Sequence, residues 1–123
     1  MKLFRSLSAL LFTIVLACGP SQSTTDRPHD FNTVYGWELE ATNATNLYDA
    51  ISILRPGMLI GRGPRDKIVV VSNGMVLGGI DQLTTFTASG IKAVHRMSAA
   101  DATFLYGSRI PSATTLDVIT KPE

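Results

Sequence analysis

The sequence predicts a small α+β domain, with a mixed sheet of about four strands and two or three short helices. Residues 67–72 form a β-branched run that is typical of a buried strand. Asn73-Gly74 follows as a hairpin signal, because both turn residues must tolerate positive φ. Residues 46–54 instead carry apolar side chains at helical spacing. A chain of 123 residues has room for one such domain.

The first ordered segment, residues 34–42, is predicted to be an edge element of the sheet. Trp37, Leu39 and Ala41 alternate with polar residues, and this alternation suggests a strand. Trp37 is the only tryptophan in the sequence. We expect it to anchor the core rather than to stack on a ligand.

The clearest predicted helix covers residues 46–54. Asn46 suits the N-cap position, and Asp49 lies favourably in the first turn. Arg55-Pro56-Gly57 ends the helix, because proline restricts the residue before it. The apolar stripe is expected to lie on the sheet and consists of Leu47, Ala50, Ile51 and Leu54.

Three further strands are predicted beyond residues 67–72. Residues 75–77 complete the hairpin, and residues 115–121 form the last strand. Residues 91–97 are also predicted to be a strand, with Ile91, Ala93, His95 and Met97 on one face and Lys92, Val94 and Arg96 on the other. Val70 and Ile119 are expected to be buried sheet residues.

A short helix is predicted over residues 99–106. Ser98 suits its N-cap, Asp101 completes a capping-box-like pair, and Gly107 stands where a C-terminal cap belongs. A base that would link Ser98 to Asp101 is missing, so we interpret the pair as a helix cap and not as a nucleophile with its orienting group.

The order of these elements resembles the plug domain of TonB-dependent outer-membrane receptors. The matching pieces are the strand and turn of residues 68–74, the strand of residues 91–97, the small-residue helix closing on Tyr106-Gly107, and the final strand ending in Thr120-Lys121. Residues 46–57 resemble that domain's first helix, and at residues 34–42 the family often has a short helical turn before that helix. The resemblance covers residues 37–121 and implies the fold of a plug. The sequence departs from the family pattern at residues 72–73, 97–98 and 112–114, so receptor-specific contacts are not implied.

Residues 1–17 are predicted to be a lipoprotein signal peptide. Lys2 and Arg5 precede a short apolar run, and Val15-Leu16-Ala17-Cys18 resembles the lipobox of bacterial lipoproteins. That resemblance implies lipid attachment at Cys18, the only cysteine, and the alternative is an ordinary signal peptide cut elsewhere. Because Gly19 follows instead of aspartate, it also implies an outer-membrane destination. Residues 18–33 are expected to be a flexible tether and residues 34–123 the plug-like domain.

Charge and composition exclude several function classes. Without Lys2 and Arg5, nine basic residues remain against ten acidic ones, which argues against nucleic-acid binding. His29 and His95 have no second ligand at metal-binding spacing, so neither a metal nor another cofactor is expected. No carboxylate pair or nucleophile with its base stands out, so the protein is predicted not to be an enzyme.

Residues 61–66 form a glycine-rich loop in which Arg62 and Arg65 are weak candidates for binding. They could contact an anion, a phosphate or a partner's carboxylate, and the alternative is a solvated connector. The sequence therefore predicts a lipid-anchored, periplasm-facing binding or accessory module with an envelope protein as its partner. Only two residues follow Lys121, so no transport activity of its own is expected. The alternatives are a small periplasmic enzyme with an unrecognised site and a structural envelope lipoprotein.

Overall fold

A computed structural model of the protein describes residues 30–111 and 113–123. Cys18, His29 and most of the predicted tether lie outside these residues. The strands are β1 (Thr33–Tyr35), β2 (Val69–Ser72), β3 (Met75–Gly78), β4 (Ile91–Met97) and β5 (Thr115–Thr120). The α-helices are α1 (Gly36–Ala41), α2 (Leu47–Leu54) and α3 (Ala99–Tyr106). Short 3-10 segments cover Pro56–Leu59, Ile80–Thr85, Ala88–Gly90 and Gly107–Arg109.

The strands form one five-stranded mixed sheet in the order β1-β4-β5-β2-β3. Strands β2 and β5 are parallel, and the other neighbours are antiparallel. The predicted α+β class is confirmed, and so are its four strands. The fifth strand, β1, adds an edge to the sheet. It includes Thr33, so the folded part begins within the segment predicted as a tether.

The strand suggested across residues 34–42 ends at Tyr35, and α1 follows. The Glu38 side chain accepts a hydrogen bond from the Tyr35 backbone N–H at 2.9 Å, which caps the start of the helix. Leu39 is fully buried, whereas Trp37 is 42% exposed. The expectation that Trp37 anchors the core is therefore wrong. A period-2 alternation over so few residues also fits a short helix that buries only part of its surface.

The predicted helix over residues 46–54 is confirmed as α2. The Asn46 side chain accepts a hydrogen bond from the Asp49 backbone N–H at 2.9 Å, as an N-cap does. Leu47, Ala50 and Ile51 are fully buried, so the apolar stripe packs into the core as expected.

The predicted hairpin is confirmed as β2 and β3. Asn73 and Gly74 have φ values of 52° and 78°, the positive angles that this tight turn requires. All of β2 is buried, whereas Met75, Val76 and Leu77 of β3 are exposed. Strand β3 is therefore an open edge of the sheet, opposite β1.

A bulge changes the faces predicted for β4. The register with β5 shifts between Ile91 and Ala93, so strict alternation does not hold there. Ile91 and Val94 both enter the main core, although the sequence placed them on opposite faces. His95 and Arg96, beyond the bulge, are half-buried at the end of the strand.

The two sheet faces are covered unequally. The main core lies between one face and the α1, α2 and 3-10 segments, and includes Val70, Leu116 and Val118. A smaller cluster of Val69, Val71, Ile110 and Ala113 lies on the other face. Val70 is fully buried as predicted, but Ile119 is 40% exposed. Ile119 alternates with Val118 along β5 and therefore points to the thinly covered face, so the prediction that it is buried is wrong.

Helix α3 has the ends that the sequence predicted. The Ser98 hydroxyl accepts from the Asp101 backbone N–H at 3.2 Å, and Gly107 follows with φ 64° and ψ −145°, which only glycine adopts readily. Ala102 is its one fully buried residue. Across residues 30–111 and 113–123, no helix has the length and apolar character needed to cross a bilayer.

Candidate functional site

A polar cleft of about 140 Å³ lies where β4 ends and α3 begins. Its lining comes from three parts of the sequence: the residue before β1, the loop after the first 3-10 segment, and the β4–α3 junction. The lining residues are Asn32, Arg62, His95, Arg96, Met97, Ser98 and Asp101. We call this set the junction cleft.

Arg96 ties two walls of the junction cleft together. Its backbone N–H donates to the Asn32 carbonyl at 2.7 Å, which extends the pairing of β4 beyond β1. Its guanidinium Nη2 donates to the Ile60 carbonyl at 2.9 Å. The side chain is thereby directed along the loop that carries Arg62, and a guanidinium held in this way keeps further N–H donors for a ligand.

The backbone next to Arg62 is fixed by Asp66. The Asp66 carboxylate accepts from the Arg62 N–H at 2.8 Å, and from the Thr114 N–H and hydroxyl at 3.2 and 2.7 Å. These bonds favour the ionised form, with that from Arg62 the strongest, and lower the pKa of Asp66 below 3.8. The loop is thus held against the start of β5.

Gly61 lets the loop close tightly. A Cβ atom at this position would lie 2.1 Å from the Asp66 carbonyl oxygen, so no larger residue fits without moving the backbone. The Gly61 backbone and the Asp66 carboxylate together place Arg62 at the junction cleft.

His95 is held by a series of hydrogen bonds on the opposite wall. The Thr33 hydroxyl donates to Asp30 Oδ2 at 3.0 Å and lies 2.8 Å from His95 Nδ1. Because that hydroxyl has one hydrogen, it accepts from an Nδ1–H of the imidazole. This tautomer leaves Nε2 as the ring nitrogen available to a ligand.

Asp30 is the anchor of that series. Its carboxylate also accepts from the Asn32 N–H at 2.9 Å. The Asn32 bond first, and the Thr33 bond second, lower the pKa of Asp30 below 3.8. The charged carboxylate thus orients Thr33, and Thr33 orients the imidazole.

Ser98 is engaged in capping α3. Its hydroxyl donates to Asp101 Oδ2 at 2.6 Å while accepting from the Asp101 N–H. The hydroxyl proton is therefore directed to Asp101 and not to His95, so these side chains do not form the hydrogen-bond order of a serine–histidine–carboxylate triad. The interpretation of Ser98 and Asp101 as a helix cap is confirmed.

The structure separates the two arginines that the sequence paired. Arg62 lines the junction cleft, whereas Arg65, three residues along the same loop, is exposed and does not line it. Sequence reasoning missed Arg96 and Asn32 as lining residues. Arg96 stands close before the cap of α3, and clefts often form where a strand ends and a helix begins. Its position in the sequence was therefore a signal that it could line a cleft.

The junction cleft carries charges of both signs. Its charged lining residues are Arg62, Arg96 and Asp101, and the ionised carboxylates of Asp66 and Asp30 lie close enough to interact with Arg96 and His95 respectively. Helix α3 also begins here, so its dipole adds positive potential at the end where the Asp101 carboxylate lies. No group of histidine, cysteine and carboxylate side chains able to hold a metal occurs within the part of the protein that the structure describes.

Comparison with known proteins finds no match, whether against protein families, curated proteins or solved structures.

Proposed function

We propose that this protein is a lipid-anchored binding module of the cell envelope, with a plug-like domain and no transport activity of its own. The observation that supports the proposal is the junction cleft, where the loop of residues 61–66 brings Arg62 beside His95 and Arg96 of β4. Hydrogen bonds hold the His95 imidazole, the Arg96 guanidinium and the Arg62 backbone. Side chains held in this way suit recognition, because they have little ordering entropy left to lose on binding.

The predicted anchor adds a second element to this proposal. Lipid at Cys18 would attach the domain to the outer membrane, on its periplasmic side, through residues 18–29. A tether of this length raises the effective concentration of the domain for partners in the same membrane. A modest interface would then suffice, and we propose an envelope protein with an exposed acidic group as its partner.

The proposal is tested by cross-linking the lipidated protein in membranes and recovering it with its partner. Arg62→Glu reverses a charge inside the junction cleft, and Arg65→Glu makes the same change on the same loop outside it. We expect Arg62→Glu to reduce recovery of the partner and Arg65→Glu to leave it unchanged. Equal recovery with both variants would remove the cleft from the contact.

Folding of the two variants is checked by thermal unfolding. Both side chains are exposed, so each variant should unfold within about two degrees of the wild type, as surface changes usually do. A specific substrate turned over by the purified protein, with activity lost on changing His95, would replace the binding module with an enzyme.

A further inference from the structure

Helix α3 presents large apolar side chains to solvent. Phe104 is 89% exposed, more than any other large apolar side chain of residues 30–111 and 113–123, and Leu105 is 62% exposed. Ala102 is the fully buried residue of the helix. Successive helix positions are turned by about 100°, so Phe104, two positions after Ala102, points away from the sheet. The last turn of α3 therefore directs apolar surface outward, and burial of this surface against another apolar phase would be favourable.

This surface lies on the thinly covered side of the sheet. The Tyr106 hydroxyl donates to Asp117 Oδ2 at 3.0 Å, which places the last turn of α3 over β5. Ile119, two residues after Asp117 and on the same face, is 40% exposed. We call Phe104, Leu105 and Ile119 the apolar patch. Helices α1 and α2 lie on the opposite face, so the patch marks one side of the domain.

The described chain begins close to the start of α3. The Arg96 N–H donates to the Asn32 carbonyl at 2.7 Å, and Ser98, two residues after Arg96, caps the helix. Asp30 lies two residues before Asn32. The predicted lipid site, Cys18, precedes Asp30 by about twelve residues, which span at most about 40 Å when fully extended. Since α3 is about 12 Å long, a bilayer that holds the lipid is within reach of the apolar patch.

The charges next to the patch suit a lipid surface. Arg109 is exposed and lies three residues after the end of α3. Its guanidinium can pair with lipid phosphate groups while its hydrocarbon stem lies against apolar neighbours. Asp101 lies one turn before Leu105, and Ser98 holds its carboxylate at the start of the helix. A carboxylate is unfavourable in an apolar layer, so the contact is shallow and is made by the last turn of α3.

We infer that the apolar patch and Arg109 rest on the bilayer that holds the lipid anchor. Phe104 and Leu105 enter the boundary between headgroups and acyl chains, and Arg109 contacts the phosphate groups. This inference rests on the proposed function, because it takes the anchor at Cys18 as given, and it adds an orientation. The thinly covered face turns to the membrane, and α1 and α2 face away from it. The lipid and the patch then hold the domain on the membrane more stably than either does alone.

The test measures contact between single tryptophans and lipid. The full-length protein, purified from membranes, is reconstituted in vesicles of phosphatidylethanolamine and phosphatidylglycerol, with or without a phosphatidylcholine brominated on its acyl chains. Bromine quenches the fluorescence of tryptophan that reaches the acyl layer. Phe104→Trp and Ile53→Trp are each combined with Trp37→Phe, which removes the only native tryptophan. Ile53 is the matched control, because it is 63% exposed on α2, on the other side of the sheet.

We expect brominated lipid to reduce the fluorescence of the Phe104→Trp protein by about half and that of the Ile53→Trp protein by less than about a tenth, since an interfacial helix buries only its apolar side in the bilayer. Arg109→Glu, added to the Phe104→Trp protein, should lower its quenching, because a carboxylate would then face anionic lipid. Thermal unfolding checks that each variant is folded, as expected for changes at exposed positions.

Two results would overturn the inference. Fluorescence of the Phe104→Trp protein that brominated lipid leaves unchanged would show that the patch does not reach the bilayer, and a protein would then be its occupant. Equal quenching of the Phe104→Trp and Ile53→Trp proteins would show that the domain has no fixed orientation on the membrane.

Failure of the proposed function is a different result. The mass of the purified protein reports separately whether Cys18 carries lipid, and a missing lipid contradicts the proposed anchor. The quenching result decides the membrane contact in either case, since protein without lipid is mixed with the same vesicles.

Discussion

Asp66 is the side chain on which the position of Arg62 depends. It bonds to the Arg62 backbone and to both donors of Thr114, so it joins the glycine-rich loop to the start of β5. A neutral side chain of the same shape would keep part of this geometry without the charge. The ionised form is therefore the one that holds the loop most firmly.

Acid should weaken the fold partly through Asp66. Its pKa in the folded state lies below the ordinary 3.8, so its contribution to stability is present above that value and is lost as the pH falls through the folded-state pKa. We expect Asp66→Asn to lose less stability than the wild type between about pH 5 and about pH 2. Urea unfolding at a series of pH values measures this difference.

The control for that experiment is Asp81→Asn. Asp81 accepts a side-chain bond from its neighbour Gln82 and does not join separate segments by its carboxylate. Its variant should follow the acid profile of the wild type. The account of Asp66 would be wrong if Asp66→Asn and the wild type lost stability in parallel.

Two aliphatic residues of the sheet should respond differently to a charge. Val70 is fully buried in the main core, so Val70→Asp should cost several kcal/mol, on the order of the whole stability of a small domain. Ile119 is 40% exposed on the thinly covered face. Ile119→Asp should cost about 1 kcal/mol or less. Thermal unfolding compares both variants, and a cooperative transition at the wild-type temperature for Val70→Asp would contradict the assigned core.

Residue-level burial was predictable where one pattern held throughout a strand. Val70 lies in a β-branched run buried on both faces, so alternation was not needed to place it. Ile119 also lies in a strand rich in β-branched residues, a composition that predicts burial. Its exposure depends instead on how much of its sheet face the smaller hydrophobic cluster covers. Arg62 and Arg65 were likewise indistinguishable in sequence, because only the turn fixed by Asp66 decides which of them reaches the cleft.

At the scale of elements, α1 and α2 are joined by a buried ion pair. Glu38 Oε1 lies 2.7 Å from Arg55 Nη2, and the two side chains are only 7% and 10% exposed. Glu38 also caps α1 through the Tyr35 N–H. One carboxylate thus fixes the start of α1 and the end of α2, and with them the layer that covers the main core.

Removing that charge should be costly, because the buried Arg55 would lose the carboxylate that lies 2.7 Å from its Nη2. We expect Glu38→Gln to destabilise the domain by about 3 kcal/mol or more. Glu40→Gln makes the same change on the same helix, where Glu40 pairs with Lys121 at the surface, and should cost under about 1 kcal/mol. Urea unfolding at neutral pH measures both, and equal losses would argue against a structural role for the Glu38–Arg55 pair.

Elements with strong local signals were predictable from the sequence. The cap of α2, the Asn73-Gly74 turn and the ends of α3 each depend on residues close to one another in sequence. Alternation over residues 34–42 favoured a strand, whereas the resemblance offered a helical turn, and the sequence alone did not decide between them. The helix depends in part on the Glu38 interaction with Arg55, which is formed across 17 positions of the sequence. The β4 bulge was missed for the same reason, since it is defined by the pairing with β5.

For the whole molecule, the lipid anchor stays a prediction of the sequence, since Cys18 lies outside the described residues. We expect mass spectrometry of the membrane fraction to find an acylated peptide that begins at Cys18. Cys18→Ala should leave the precursor unprocessed or misplaced. A soluble mature protein that starts at another residue would contradict the anchor.

The two ends of the sheet offer different surfaces to a partner. The β1 end carries the junction cleft with its fixed donors, whereas the β3 end is an open edge with exposed Met75, Val76 and Leu77. An open edge can pair with another strand through its backbone, whatever the partner's charge. Partner contact at the cleft is therefore distinguishable from strand pairing at β3 by position alone.

The most direct measurement is photo-cross-linking in intact cells with a photoreactive amino acid placed at position 32 or at position 76. Asn32 lines the junction cleft with an exposed side chain, and Val76 lies on the opposite edge. We expect an adduct with an envelope protein from position 32, lost on Arg62→Glu and retained on Arg65→Glu, and none from position 76. An adduct from position 76 alone, or one from position 32 that Arg62→Glu leaves unchanged, would contradict recognition through the junction cleft.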